Sequence, residues 1–120
     1  MSTNKTVIAA VPDIFFGSKI SGTAKPLGVD VKFVRNQEAL LRNARELPAL
    51  LVIDLGANEV DPIESIRALK ADDATSQLTL VAFANHERED LMAAAQDAGC
   101  SNVLTRGAFA SALPQLLAKL

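Results

Sequence analysis

Near the middle of the chain, five consecutive apolar residues lead into an aspartate. The segment reads Ala49-Leu50-Leu51-Val52-Ile53-Asp54-Leu55-Gly56. A run this short, with two β-branched residues, is typical of a strand that is covered on both faces, as in a parallel sheet. In open α/β sheets, ligands and chemistry lie just outside the carboxyl ends of the strands. The run therefore predicts a buried central strand and marks Asp54 as a candidate functional residue.

Strand and helix patterns alternate along the rest of the chain. Short apolar runs predict strands at residues 6–11, 29–34, 78–83 and 102–105, and helical spacing predicts helices at residues 14–27, 37–47, 62–70, 87–98 and 110–120. Connections of helix length imply parallel strands and right-handed crossovers. We therefore expect one domain over residues 1–120, a flavodoxin-like (βα)5 three-layer α/β sandwich. Its parallel five-stranded sheet should have the order 2-1-3-4-5.

Local signals place the ends of several helices. Asp13, Asn36 and Asp61 each precede a helical pattern and are predicted N-caps, because a short polar side chain there can accept a free backbone N–H. Proline is tolerated in the first turn of a helix but not in its interior. We therefore place the N-cap of the last helix near Ser111, so that Pro114 lies in the first turn.

Two further patterns predict which side chains are exposed or buried. Residues 29–34 alternate between apolar and polar, which is typical of a half-exposed strand at the edge of a sheet. Phe15 and Phe16 are predicted to lie in the core rather than to stack on a ligand. Cys100 is predicted to be a small buried residue rather than a nucleophile.

Composition and charge exclude several classes of function. The net charge is −2, so no electrostatic argument favours nucleic acid or an anionic membrane as a partner. The single cysteine cannot form an internal disulfide and favours a reducing compartment. Residues 1–6 contain no apolar signal core, and no apolar run approaches the roughly 20 residues that span a bilayer. We expect a cytoplasmic protein.

The carboxyl ends of four predicted strands bring a group of residues to one edge of the sheet. These residues are Asp13, Asp54, Ala84-Asn85-His86 and Arg106. Two carboxylates beside a cation suit Mg²⁺ and a phosphoryl group, because Mg²⁺ prefers oxygen ligands and a cation balances phosphate charge. A simpler explanation is that Asp13 and Asp54 are helix caps or strand-end residues. The sequence leaves both explanations open for the pair.

Other motifs of catalysis and cofactor binding are missing from the sequence. It has no Gly-x-Gly-x-x-Gly or Walker loop for phosphate, and no Cys-x-x-Cys pair for structural zinc. His86 is the only histidine and has no nucleophile-elbow serine to pair with. An enzyme that forms a phosphoaspartate on Asp54 would need an acid two residues further on, where Gly56 stands. We therefore expect no enzymatic activity.

Taken together, these segments resemble the receiver domain of bacterial response regulators over nearly the whole chain. The resemblance rests on strand-end Asp13, on Leu51-Val52-Ile53-Asp54, on Asp61 with Ile66-Arg67-Ala68-Leu69-Lys70-Ala71-Asp72, on Ala93-Ala94-Ala95-Gln96-Asp97-Ala98-Gly99-Cys100 and on Val103-Leu104-Thr105-Arg106. It implies that Asp54 has the position of the aspartate that accepts a phosphoryl group from a histidine kinase. It also implies a weak Mg²⁺ site at Asp13, Asp54 and Gly56. Phosphate contacts are implied for Arg106 and for Ala84 or Asn85.

The chain departs from the receiver pattern at several positions of this site. Pro12 replaces one of two adjacent acids, and metal affinity should be weaker because it follows ligand charge. Ala84 or Asn85 stands where the family has a hydroxyl residue, and Arg106-Gly107 replaces a lysine–proline pair. Arginine keeps the charge of lysine but not its shape. Val103 takes the place of an aromatic switch residue. These departures indicate a divergent receiver or pseudo-receiver.

The sequence leaves two functional hypotheses open. The first is a stand-alone receiver-like protein of two-component (phosphorelay) signal transduction, acting through protein–protein contacts as a monomer or weak homodimer. Its partner would be a histidine kinase or another signalling protein, docked on the fourth helix, the fifth strand and the fifth helix, near Arg88. Asp54 is either phosphorylated or inactive in this hypothesis, and the departures favour an inactive site. The second is a flavodoxin-like small-molecule or anion-binding protein that uses Arg106, Asn85 and His86.

Overall fold

The structure is a computed structural model that describes residues 5–120. Most of residues 1–6, where the sequence predicts no signal core, lies outside the described residues. Five strands and five α-helices alternate along the described chain. The strands are β1 (Thr6–Ala10), β2 (Asp30–Phe33), β3 (Leu50–Asp54), β4 (Leu80–Ala84) and β5 (Asn102–Thr105). The helices are α1 (Ile14–Ala24), α2 (Gln37–Ala44), α3 (Pro62–Ala71), α4 (Glu89–Asp97) and α5 (Arg106–Ala118). Short 3-10 turns follow α1 at Lys25–Leu27 and β3 at Asn58–Val60.

The strands form one parallel sheet in the order β2-β1-β3-β4-β5, which confirms the predicted fold class and strand order. All five residues of β3 are buried, as the apolar run predicts. β2 lies at an edge, as predicted, and is more exposed than the expected half-exposed strand. In the register of the sheet, Asp54 pairs with Phe83 and Ala84 pairs with Thr105. The ends of β3, β4 and β5 therefore reach one edge of the sheet together.

Alternation of side chains along the strands divides the core into two layers. One face of the sheet packs against α2, α3 and α4 through the buried residues Ile8, Leu51, Ile53, Ala82, Leu40, Ile66 and Ala95. The other face packs against α1 and α5 through Val7, Ala9, Val52, Phe83, Ile20, Phe109 and Leu113. A slip of one residue in strand register would exchange the two sets, so the two-sided core fixes where each strand ends.

Two of the three predicted N-caps are confirmed. The Asp13 Oδ1 accepts the backbone N–H groups of Phe15 and Phe16 at 2.8 and 3.2 Å. The Asn36 Oδ1 accepts the N–H of Ala39 at 2.8 Å. Asp61 does precede α3, but its side chain makes no cap hydrogen bond. Its backbone is left-handed, with φ of 47°, whereas a capping residue is normally extended.

The predicted start of the last helix was wrong. α5 begins at Arg106, and the Thr105 Oγ1 caps it by accepting the N–H of Ala108 at 3.1 Å. Pro114 lies inside this helix rather than in its first turn. Its ring is exposed, and buried side chains before and after it hold the helix on the sheet. Tertiary packing thus outweighs the local cost of an internal proline.

The prediction for the two adjacent phenylalanines was half right. Phe15 is 86 % exposed, whereas Phe16 packs inside with the aromatic side chains of the α1–α5 layer. On a helix, neighbouring residues point about 100° apart, so both cannot face one core. The cap at Asp13 sets where α1 begins, and Phe16 then falls in phase with Ile20 and Ala24, which are buried.

Cys100 is buried, as predicted, and burial raises the pKa of its thiol. None of the helices in residues 5–120 is long and apolar enough to cross a membrane.

Candidate functional site

Asp54 is the last residue of the central strand and lies under the surface of the carboxyl edge. It is 5 % exposed. Its Oδ1 accepts the backbone N–H of Gly56 at 2.9 Å, and the next residue, Leu55, still donates its N–H to the Phe83 carbonyl at 2.9 Å. The buried strand therefore positions the carboxylate, and the tight turn after it fixes one oxygen.

Asp13 lies beside this carboxylate because β1 is the neighbour of β3 in the sheet. One oxygen, Oδ1, is used to cap α1. The other oxygen, Oδ2, faces the site and lies 3.4 Å from the Arg106 Nη1. Asp13 therefore caps α1 with one oxygen, as the structural explanation predicts, and turns the other toward Arg106.

Arg106 joins the two acids. It is the first residue of α5, and its Nη2 lies 3.7 Å from the Asp54 Oδ2 while its Nη1 contacts Asp13. Its guanidinium carbon lies 5.1 Å from the centre of the Phe16 ring, in a cation–π contact. The structure thus brings together Asp13, Asp54 and Arg106, as the sequence predicts, and makes the arginine a bridge between the carboxylates.

The Phe16 contact was missed at the level of sequence. Phe16 belongs to an aromatic cluster in which its ring centre lies 5.1 Å from that of Phe83 and 5.9 Å from that of Phe109. Phe83 and Phe109 are stacked at 4.6 Å. The available signal was the spacing: Phe16 is three residues after Asp13 and Phe109 is three residues after Arg106. One turn of helix links each site residue to the cluster.

The pKa of Asp54 is raised above its ordinary value of 3.8. Burial is the main cause, because it removes water from the charged form. The Gly56 N–H and the charge of Arg106 lower the pKa, and the charge of Asp13 raises it. The arginine therefore offsets part of the cost of placing two acids side by side.

The residues after β4 do not supply a hydroxyl donor to the site. Ala84 is buried and offers only a methyl group. Asn85 uses its Oδ1 to accept the N–H of Glu87 at 3.0 Å, which closes a turn. A cavity of about 320 Å³ lies here, lined by Asp54, Gly56, Ala84, Asn85, Glu87, Arg88, Leu91 and Arg106. His86 lines a neighbouring cavity of about 410 Å³ with Phe16, Thr105 and Arg106.

The two acids predicted to bind Mg²⁺, Asp13 and Asp54, are paired with groups of the protein itself. In residues 5–120, no three His, Cys, Asp or Glu side chains form a group that could hold a metal ion. Each oxygen of Asp13 and Asp54 already faces an N–H donor or the guanidinium. Gly56, the third predicted ligand, donates its N–H to Asp54, and its carbonyl oxygen is the atom that could bind a metal ion. Arg106 is the cation that contacts both acids in the described residues.

Comparison with known proteins identifies the fold. No family model and no curated protein matches the chain. The phosphorylated cyanobacterial phytochrome response regulator RcpA has a TM-score of 0.80 at 18 % identity, over 98 % of this chain and 91 % of that chain. For a response regulator from Hahella chejuensis, the TM-score is 0.81 at 16 % identity, over 94 % and 92 %.

A third solved structure carries a metal. It is the receiver domain of a sensor histidine kinase from Pseudomonas aeruginosa, with a magnesium ion in its active-site cleft. Its TM-score is 0.81 at 14 % identity, over 98 % of this chain and 97 % of that chain. The chain therefore has the fold of response regulator receiver domains, which confirms the resemblance at the level of fold.

Proposed function

We propose that this protein is a receiver-fold signalling module that acts through contacts with other proteins and is not switched by phosphorylation of Asp54. The observation that carries this proposal is the state of the Asp54 carboxylate. Its Oδ1 is held by the Gly56 N–H, and its Oδ2 is paired with Arg106. Attack of Oδ2 on a phosphorus atom would have to break this ion pair between the buried carboxylate and the half-exposed arginine.

The surroundings of Asp54 also give little help to an incoming phosphoryl group. The Ala84 side chain has no hydrogen-bond donor, and Asn85, whose Oδ1 accepts a bond within its own turn, offers only its amide Nδ2 as a side-chain donor. The loss of one donor to a developing charge typically lowers a rate by about 10²–10³-fold. Because Arg106 is already balanced by two carboxylates, it has little charge to offer a third anion. This balance also weakens the alternative of a small-molecule or anion-binding protein.

The exposed apolar side chains favour a contact surface different from the one predicted. Ile14 and Phe15, at the start of α1, are 78 % and 86 % exposed. In the described residues, α4, β5 and α5 expose no large apolar side chain of this kind. Neighbouring apolar side chains exposed at the surface are a feature of protein interfaces. We therefore place the partner, a histidine kinase or another signalling protein, at the start of α1 beside Asp13.

Phosphoryl transfer tests the proposal directly. The protein is incubated with Mg²⁺ and a small phosphoryl donor such as acetyl phosphate or phosphoramidate, and its intact mass is then measured. We expect no phosphoryl adduct in the wild type or in the Asp54→Asn control. A single adduct that forms in the wild type and is missing from Asp54→Asn would overturn the proposal.

A further inference from the structure

The arrangement of charges around Arg106 is the one expected around a metal ion. Its two terminal nitrogens reach one oxygen of each acid, at 3.4 Å for Asp13 and 3.7 Å for Asp54. The other two carboxylate oxygens are turned to backbone N–H groups. One cation thus stands between the carboxylate that caps α1 and the carboxylate that ends β3, and no other cation contacts them among the described residues.

The position of Arg106 on its own helix is unfavourable. It is the first residue of α5, where the positive end of the helix dipole disfavours a cation. Its Nε is buried and has no hydrogen-bond partner within the described residues. Local structure therefore does not explain why an arginine lies here. The two carboxylates and the ring of Phe16 are what hold the guanidinium in place.

A divalent ion and this guanidinium cannot share the two acids. Mg²⁺ binds carboxylate oxygen at about 2.0–2.1 Å. An ion at that distance from the Asp13 and Asp54 oxygens would lie next to the guanidinium and be repelled by it. Arginine does not lose its charge in proteins, so no ordinary pH frees the acids.

We infer that Arg106 takes the place of the divalent cation at this edge of the sheet, and that Asp13 and Asp54 form a metal site only when the guanidinium is removed. The inference deepens the proposed function and rests on it, since a built-in cation is a reason for the site to be inactive. It predicts that removal of one positive charge creates an affinity for metal.

The test uses Mn²⁺ as a paramagnetic probe and the full chain in wild-type and variant forms. In Arg106→Met, which keeps a long apolar stem against Phe16, millimolar Mn²⁺ should broaden the amide signals of Asp54, Leu55 and Gly56. In the wild type it should leave them sharp. We expect affinity at least about tenfold tighter in the variant, because metal affinity follows the net ligand charge. Millimolar Mg²⁺ should also raise the melting temperature of Arg106→Met and leave that of the wild type unchanged.

Matched controls separate a metal site from general weakening of the fold. The double variant Asp13→Asn/Arg106→Met, which lacks one of the two carboxylates, should lose the Mn²⁺ binding that Arg106→Met gains. Arg106→Gln provides a second neutral variant if Arg106→Met is too unstable. Broadening at Asp54 in the wild type, or its absence in a folded neutral variant, would overturn the inference.

The two proposals can fail separately. Mn²⁺ broadening of the wild type without a phosphoryl adduct would remove the inference about Arg106 and leave the proposed function. A phosphoryl adduct on wild-type Asp54 without Mn²⁺ broadening would remove the proposed function and leave the inference about Arg106.

Discussion

At the scale of single residues, the site balances burial against charge. Asp54 is almost fully buried, and its pKa is raised mainly because the charged form has lost water. The Gly56 N–H and Arg106 offset part of this effect. The folded protein therefore holds the Asp54 proton more tightly than the unfolded chain does, which links stability to pH.

The raised pKa of Asp54 determines in which direction the free energy of unfolding changes with pH. Above the ordinary value of 3.8 and up to the raised value, the folded state binds more protons, so the free energy of unfolding falls as the pH rises. Asp54 stabilises the fold fully below the ordinary value, and this contribution is lost as the pH rises through the folded pKa. In Asp54→Asn, unfolding by urea should therefore show a smaller fall in stability between about pH 4 and pH 7 than in the wild type.

Asp90 provides a control of opposite sign. It is exposed, and the hydrogen bond from Arg88 lowers its pKa, so its contribution is present above the ordinary value and is lost as the pH falls. As the pH falls below the ordinary value of 3.8, Asp90→Asn should therefore lose less stability than the wild type does. If the pH profiles of Asp54→Asn and the wild type run parallel, the buried charge at Asp54 is not as described.

The two adjacent phenylalanines provide a second prediction. Phe15→Ser should change the free energy of unfolding by less than about 0.5 kcal/mol, because its side chain is already in water. Phe16→Ala should cost at least about 2 kcal/mol, since it empties space in the aromatic cluster. Urea titration of both variants measures the difference. A large loss in Phe15→Ser would show that Phe15 is covered in solution.

The positions of the site residues could be predicted from sequence, but their contacts could not. Asp13, Asp54 and Arg106 each follow an apolar strand run, and parallel strands bring such ends together. The ion pairs of Arg106 with the two acids depend on how far its side chain extends, and strand patterns give no information about that distance. The stacking on Phe16 depends on the phase of α1, which is set by one cap hydrogen bond at Asp13.

At the scale of elements, the helix starts show where local rules hold. Asn36 is extended and caps α2, so Asn36→Ala should cost about 1 kcal/mol in the free energy of unfolding. Asp61 makes no cap bond and is left-handed. Asp61→Gly should therefore stabilise the protein, by up to about 1 kcal/mol, because glycine adopts this backbone without strain. Thermal or urea unfolding checks both, and a clear loss in Asp61→Gly would contradict the assignment.

The start of α5 shows where a local rule fails. Pro114 suggested a late start, but Thr105 is also a good N-cap, and the helix begins there. The buried residues Phe109 and Leu113 pack against the sheet before the proline and Leu117 packs after it. The helix tolerates an internal proline because side chains on both sides of it pack against the sheet. A local sequence pattern does not show the free energy that this packing contributes. The result places Arg106 inside the helix.

At the scale of the whole molecule, the fold follows from a two-sided sheet. Continuous apolar runs in β3 and β4 and the alternating pattern of β2 predict which strands are central and which lies at an edge. The structure confirms the order of all five strands. Because the register is fixed by both core layers, the acidic strand ends must meet beside the start of α5. The site is thus a consequence of the fold, and the inactivity that we propose for it would follow from the residues placed there.

The most direct test of this account is an amide NMR titration with Mg²⁺ and beryllofluoride, which mimics an aspartyl phosphate. The account predicts that the signals of Asp13, Asp54 and Arg106 do not move in the wild type, because the carboxylates are already paired within the protein. Shifts centred on these three residues, and missing from Asp54→Asn, would show a working phosphoacceptor and contradict the account.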